Sequence, residues 1–412
     1  MGVWSLRAAL RREDSPRSMN AWHSVAFAFA LALCPAAARA NGRFPAAQHV
    51  VVGPGSTSRV VALRTTFGMV ISNDGGGTFH WMCEEGMFYP FVPAMNFDAP
   101  IEVTSRGSIA YGYEAGMRYT TDGCKADDVR GSAMHAFADL TTDPTGRVVY
   151  AVQADDAAAN AVYRGDGDTM EFTRMGAGVR DVLFDTLEVA PSDTRRLYLT
   201  GRATDAFMPL LYRSDDGGAT LVRVATDMAP ADSFWVSGVD PRDPDVLYVR
   251  AAVGFGTELR RSRDGGRTFQ RVAMTRDPML GFAMSDDGRT LWYGSIAEGV
   301  QRSDDGGESF QRAAQLPVIC LRQHAGVLWL CSDWINQFAL GRSTDGGNTF
   351  TPVLRFEDPR SFAGPPTCDV RSEGADICVE RWPTMQRSLS EGTRADAGPP
   401  LDAGRRDAAA DA

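Results

Sequence analysis

The sequence predicts an all-β fold, a seven-bladed β-propeller, and three observations predict it. One eight-residue motif recurs at nearly constant spacing, short β-like runs fill the intervals, and turn residues separate those runs. The clear copies are SNDGGGTF at 72–79, SDDGGATL at 214–221, SRDGGRTF at 262–269, SDDGGESF at 303–310 and STDGGNTF at 343–350. Two weaker copies, TTDGC at 120–124 and RGDGDT at 164–169, fill the gap. From Asp74 through Asp122, Asp166, Asp216, Asp264 and Asp305 to Asp345 the steps are 48, 44, 50, 48, 41 and 40 residues. A β-rich period of about 40–50 residues matches one four-stranded blade.

The elements follow in order. Residues 1–40 read as an export signal: Arg7, Arg11, Arg12 and Arg17 precede the apolar run 25–33 (VAFAFALAL), and Ala38-Arg39-Ala40 offers a cleavage site. Met19 is a second possible start, and Cys34 offers a lipid-anchor alternative that the bulky Leu33 disfavours. Residues 44–360 hold the seven blades. In the fifth, runs at 234–239, 246–251, 259–262 and 269–273 are rich in aromatic and β-branched residues, with a DPRDP turn between the first two. The fourth and sixth repeat that scheme. The motif falls between the third and fourth strands, where paired glycines permit positive φ and the aspartate accepts backbone N–H groups. Radial repetition protects most sheet edges. Residues 361–390, with Cys368, Cys378 and Trp382-Pro383, form a strap expected to close or cover the last blade. Residues 391–412, rich in Asp, Ala, Gly and Pro, have nothing to bury and are expected to be disordered.

Composition narrows the function classes. Apolar residues make up 44% and charged residues 23% of the 412, as in a chain with a real core. The net charge of −10, with Lys125 the sole lysine, argues against nucleic acid and anionic lipid as partners. No apolar run reaches the roughly 18 residues of a membrane helix, so no membrane insertion is expected after signal cleavage. The chain is read as secreted, periplasmic or displayed at the cell surface. Six cysteines remain beyond Cys34, an even number that favours disulfides in an exported chain. Cys320 and Cys331 oppose each other across a hairpin, Cys368 and Cys378 lie close in sequence, and Cys83 then pairs with Cys124 by elimination. Free thiols or metal ligation are the alternatives, and no spacing suits zinc.

The recurring motif resembles the Asp-box, or bacterial neuraminidase repeat, S-x-D-x-G-x-T-[FW]. Propellers of that family include sialidases, xyloglucanases, sortilin-type receptors and photosystem II assembly factors. The resemblance implies that Asp74, Asp216, Asp264, Asp305 and Asp345 are structural and lie away from the usual active face. It also raises sialidase activity. Sialidases carry an Arg-Ile-Pro element near the start, and Arg43-Phe44-Pro45 resembles it, which makes Arg43 the catalytic alternative; an arginine fork suits a substrate carboxylate. Phe44 departs from the pattern, no local signal marks the other arginines, and sialidases have six blades.

The preferred reading is a noncatalytic, monomeric recognition scaffold for an unidentified glycan or protein at the cell envelope. Its candidate ligand contacts are Phe88, Tyr89 and Phe91 in an aromatic loop, with Tyr113, Phe207, Phe255 and Trp334 in second-to-third-strand loops. The bland alternative is that these aromatics plug the channel or cover the core. Glycoside hydrolysis needs two carboxylates converging across a sugar; Glu114, Asp205, Glu258, Glu298 and Asp333 read as solvated loop charges. Asp166-Gly167-Asp168 lacks the spacing of a calcium loop. No metal site or cofactor fingerprint is evident.

Overall fold

The computed structural model describes residues 45–395, except 56–58, 91–97, 133, 157, 207, 230–232, 336 and 370–371; for 391–395 it describes the backbone alone. The segment read as an export signal, Arg43, Phe91, Phe207 and residues 396–412 lie outside the described residues.

The chain forms seven sheets, each of four consecutive antiparallel strands. Blade 1 spans residues 47–83, blade 2 spans 101–128, blade 3 spans 137–179 and blade 4 spans 182–223. Blades 5, 6 and 7 span 234–275, 279–314 and 320–354. The first strand of each blade neighbours the first strand of the next, and Cys320–His324 returns to Ala47–Val52, so the first strands ring a central shaft. Alternation drives the arrangement. In Leu247–Val253, the second strand of blade 5, Leu247, Val249 and Ala251 are buried against neighbouring sheets.

The recurring motif joins the third and fourth strands. In blade 5 the Ser262 hydroxyl donates to Asp264 Oδ1 (2.8 Å) and accepts from the Gly266 amide (2.9 Å). Asp264 also accepts the Arg267 and Thr268 amides, each at 3.0 Å. Gly265 and Gly266 have φ of +73° and +90°, and a Cβ on Gly266 would come within 2.4 Å of Leu211 in blade 4. That close approach is why the second glycine is needed.

A second recurring device ties a blade to a turn of the next, either the motif hairpin or the turn between its first two strands. Tyr198 donates to Pro244 O (2.8 Å), Tyr248 to Gly306 O (3.0 Å) and Trp292 Nε1 to Gly346 O (2.9 Å). Tyr150 similarly reaches Thr194 O (2.8 Å), and Trp329 packs against Gly76, which joins blade 7 to blade 1. The corresponding second-strand positions of blades 1 and 2 are Ala62 and Ala110. These two blades precede the two weak motif copies, so latch and motif fade together.

The region after blade 7 differs from expectation. Residues 361–364 run beside the outer strand of blade 1: the Phe79 amide donates to Ser361 O, the Ala363 amide to Phe79 O and the Trp81 amide to Gly364 O. A helix, Glu373–Ala395, follows and reaches into the segment expected to lack structure. The strap therefore runs along the first blade, and its apolar side joins a core shared with the last. Its Trp382 and Leu389 pack with Trp81, Phe356 and Phe362 in a core a strand pattern could not announce.

Three disulfides are formed. Cys320 is bonded to Cys331 across its hairpin. The other pairing is corrected: Cys83 bonds Cys378 and Cys124 bonds Cys368, in place of Cys83–Cys124 and Cys368–Cys378. The physical reason is the strap. It lies along the outside of blade 1 and places Cys378 against the end of that blade's fourth strand, while Ser372 donates to Cys124 O (2.7 Å) in blade 2. Among the described residues no helix is long and apolar enough to cross a membrane.

Candidate functional site

The aromatic candidates do not form one surface. Phe88 is buried against Tyr111 and Tyr113, and Tyr113 is itself buried. Trp334 is buried against Phe356 and donates to Pro45 O. These three side chains cover the core. Tyr89 is 38% exposed and hydrogen-bonds Glu373 of the strap, which leaves Phe255, 95% exposed on the hairpin after the second strand of blade 5, as the protruding aromatic among those described.

The motif aspartates are occupied by their own turns. Burial raises the pKa of Asp264, but hydrogen bonds from Thr268, Ser262 and Arg267 outweigh it and bring the carboxyl to about 2. Asp74 and Asp216 are lowered by the same kinds of contact, and Asp305 and Asp345 more strongly. Such carboxylates are permanently ionised acceptors, unsuited to proton transfer near neutral pH. Of the acids read as loop charges, Glu258 is instead buried within the strand Gly256–Ser262 and clamped by Arg260 (2.8 Å) and Arg271 (3.0 Å), and Glu298 accepts the Arg276 amide. Asp168 is held by Ser105 and Arg106.

The concentration of unusual ionisable groups is instead in the shaft. Glu102, Asp139 and Glu188 stand on the first strands of blades 2, 3 and 4. Burial pushes Asp139 up to about 7, against hydrogen bonds from the Leu187 and Leu140 amides (2.9 and 3.0 Å). Burial, then the nearby Asp139, pushes Glu188 up to about 8. Glu102 is raised by burial as well, partly offset by Arg322, whose Nη2 lies 3.8 Å from its Oε1.

Cations face these acids. His49 is paired in register with Arg64 in blade 1, and burial together with the charges of Arg64, Arg322 and Arg250 holds the imidazole at about 3, hence neutral. Arg250 occupies the same second-strand position as Arg64 and spans to blade 6, donating to Ser237 Oγ (2.9 Å), Met279 O (3.1 Å) and Leu280 O (3.0 Å). Arg64 makes the equivalent reach to Ala99 O (3.5 Å) at the start of blade 2. Arg322 rises from the first strand of blade 7 with 40% of its side chain exposed. These groups influence one another electrostatically from the strands that ring the shaft, and burial strengthens that influence.

The shaft residues were missed because each reads as one polar residue in an apolar strand. The available signal was the alternation of the first run in each unit: IEV at 101–103, FADLTT at 137–142, LEVA at 187–190 and CLRQH at 320–324. Among the described residues no cluster of three or more His, Cys, Asp or Glu is placed to hold a metal ion.

No family model matches the chain, and no curated protein sequence does. Solved structures do match. An ancestral GH74 enzyme aligns over 76% of this chain and 46% of its own at 13% identity, with a TM-score of 0.53. The GH74 enzyme of Niastella koreensis aligns over 74% and 62% at 16% identity, TM-score 0.38. The GH74 xyloglucanase of Xanthomonas campestris aligns over 76% and 64% at 14%, TM-score 0.36. The chain thus spans about half to two thirds of the length of these enzymes, and at this identity the likeness is one of fold.

Proposed function

We propose that this chain is an exported recognition propeller that binds a glycan at the cell envelope, with the ligand taken in the shaft. One observation carries the reading: ionisable side chains from six of the seven blades stand on the inner strands around the shaft, within electrostatic influence of one another, while most of the described loop aromatics are committed to the core. The three disulfides support an oxidising compartment. A glycan is preferred to a protein ligand because the ancestral GH74 enzyme that shares the fold belongs to a class acting on glycosidic bonds. The test is a polysaccharide array probed with the purified full chain. Binding abolished by Arg322→Glu but kept by Phe255→Ala supports the reading; no binding by the wild type, or binding insensitive to Arg322, removes it.

A second reading, glycoside hydrolysis, is favoured by Glu188. A carboxyl held protonated near neutral pH beside other carboxyls is the arrangement a general acid uses. Turnover of fluorogenic glycosides, a sialoside among them, that disappears in Glu188→Gln would establish it. Retained turnover in that variant would discard Glu188 as the acid.

A further inference from the structure

A cavity of about 300 Å³ lies between the strap helix and the chain that leaves blade 7. The turn after the last strand, Thr351–Leu354, contributes Phe356, Glu357 and Phe362, and the helix contributes Trp382, Gln386 and Arg387. Phe356 and Phe362 are buried and back the half-buried indole of Trp382. Ring centroids are 5.7 Å apart for the two phenylalanines and 5.2 Å for Phe362 and Trp382. Trp382 and Gln386 stand four residues apart and so share one face of the helix.

Both walls are set before any ligand arrives. The Ser361 and Phe362 amides donate to Asp358 O (3.0 and 2.8 Å), which shapes the turn that carries Glu357. The helix is pinned by the Cys83–Cys378 bond and by Arg381, 3.3 Å from Glu85. A Cβ on Gly364 would lie 2.5 Å from the Trp382 ring, so backbone rests directly against the indole. The polar groups are left open by contrast. Among the described residues, the side chains of Glu357 and Gln386 and the indole N–H of Trp382 have no hydrogen-bond or ion-pair partner. Arg387 donates to the Thr384 hydroxyl alone, at 3.2 Å.

We propose that this cavity is a saccharide site separate from the shaft, taking one neutral pyranose ring against Trp382. Glu357 accepts from the sugar hydroxyls, and Gln386 and Arg387 donate to them. The chemistry of the walls selects this ligand. A wholly apolar molecule would strip water from the open polar groups and return no hydrogen bond. A strongly charged one gains nothing overall, because Glu357 and Arg387 offset each other. An added peptide strand has no edge to join, since residues 361–364 already lie along the outer strand of blade 1. Sugar hydroxyls both donate and accept, while the C–H face of the ring packs on aromatic carbon. The volume is at the lower end of small-molecule sites, roughly 300–1,000 Å³, and suits a single ring. The site does not depend on the shaft reading.

The test uses the full chain labelled with 5-fluorotryptophan and titrated with the methyl glycosides of glucose, galactose, mannose and xylose. Trp382→Phe, which keeps an aromatic ring in the core, identifies the fluorine resonance of Trp382. At least one glycoside should move that resonance saturably. Its Kd should rise about fivefold in Gln386→Ala and in Glu357→Gln, and stay unchanged in Arg322→Glu. Gln386 and Glu357 are exposed, so both variants should fold, and matching melting temperatures verify it. A resonance that no glycoside moves, or an affinity that neither rim variant changes, overturns the proposal. So does hexanol moving the resonance where no glycoside does, which would assign the cavity to apolar ligands. A response lost in Arg322→Glu overturns it too, placing the sugar in the shaft and leaving the recognition reading standing. Saturable binding here with a blank polysaccharide array supports this site and removes the shaft reading.

Discussion

The hydroxyl of Tyr248 in blade 5 donates to the carbonyl of Gly306 in the motif hairpin of blade 6, across 3.0 Å. Tyr248 itself is buried, so one side chain packs its own blade and holds the next. Tyr248→Phe keeps the ring and removes the bond, and should cost about 1 kcal/mol in urea unfolding. An unchanged midpoint would show that the inter-blade bond contributes nothing net.

Ser262 is fully buried and serves two partners at once, Asp264 and the Gly266 amide. Ser262→Ala leaves that amide buried without its acceptor. The expected loss is about 1–3 kcal/mol, larger than for an exposed serine elsewhere. Denaturant titration of Ser262→Ala beside Ser390→Ala, on the exposed strap helix, measures the contrast.

Cys378 and Cys368 fasten one strap to blades 1 and 2, the pair whose latch position is occupied by Ala62. Removing one bond by Cys378→Ala with Cys83→Ala should cost about 2–4 kcal/mol and leave the strap attached through the other. Removing both should expose the 373–395 helix to protease while blades 3–6 resist. Mass mapping of a timed digest distinguishes these outcomes.

Stability should also fall in alkali. Asp139 and Glu188 have folded pKa values near 7 and 8, above ordinary values of about 3.9 and 4.3, so the folded chain binds more protons between those limits. The associated stability is fully present below about pH 4 and is lost as pH rises through 7 to 8. The melting temperature of Glu188→Gln should therefore drop less than that of the wild type between pH 6 and pH 9. Parallel slopes would mean that Glu188 is already ionised at pH 6.

The blades were legible because their signals are local. Asp74, Asp216, Asp264, Asp305 and Asp345 each mark a turn within eight residues, and strand alternation needs only a short window. Three first-strand carboxyls in blades 2, 3 and 4, by contrast, become one site only when the ring closes, and no local pattern joins Glu102 to Glu188. Aromatics misled for a related reason. Phe88 and Trp334 fall at loop positions, where exposure is the usual expectation, but Tyr111 and Tyr113 of blade 2 bury the first, and Phe356 with the segment at Pro45 buries the second. The disulfide pairing failed on the same ground, since nearness in sequence stood in for nearness in space.

The strap has a consequence for biosynthesis. Cys83 leaves the ribosome 295 residues ahead of Cys378, an interval of roughly 15–60 s at common elongation rates. For most of it, the thiol of greatest convenience to Cys83 is Cys124, and both of their rightful partners are still unmade. The nascent chain can thus trap itself in the wrong bond, and its maturation calls for late oxidation or for an isomerase to undo the early mistake.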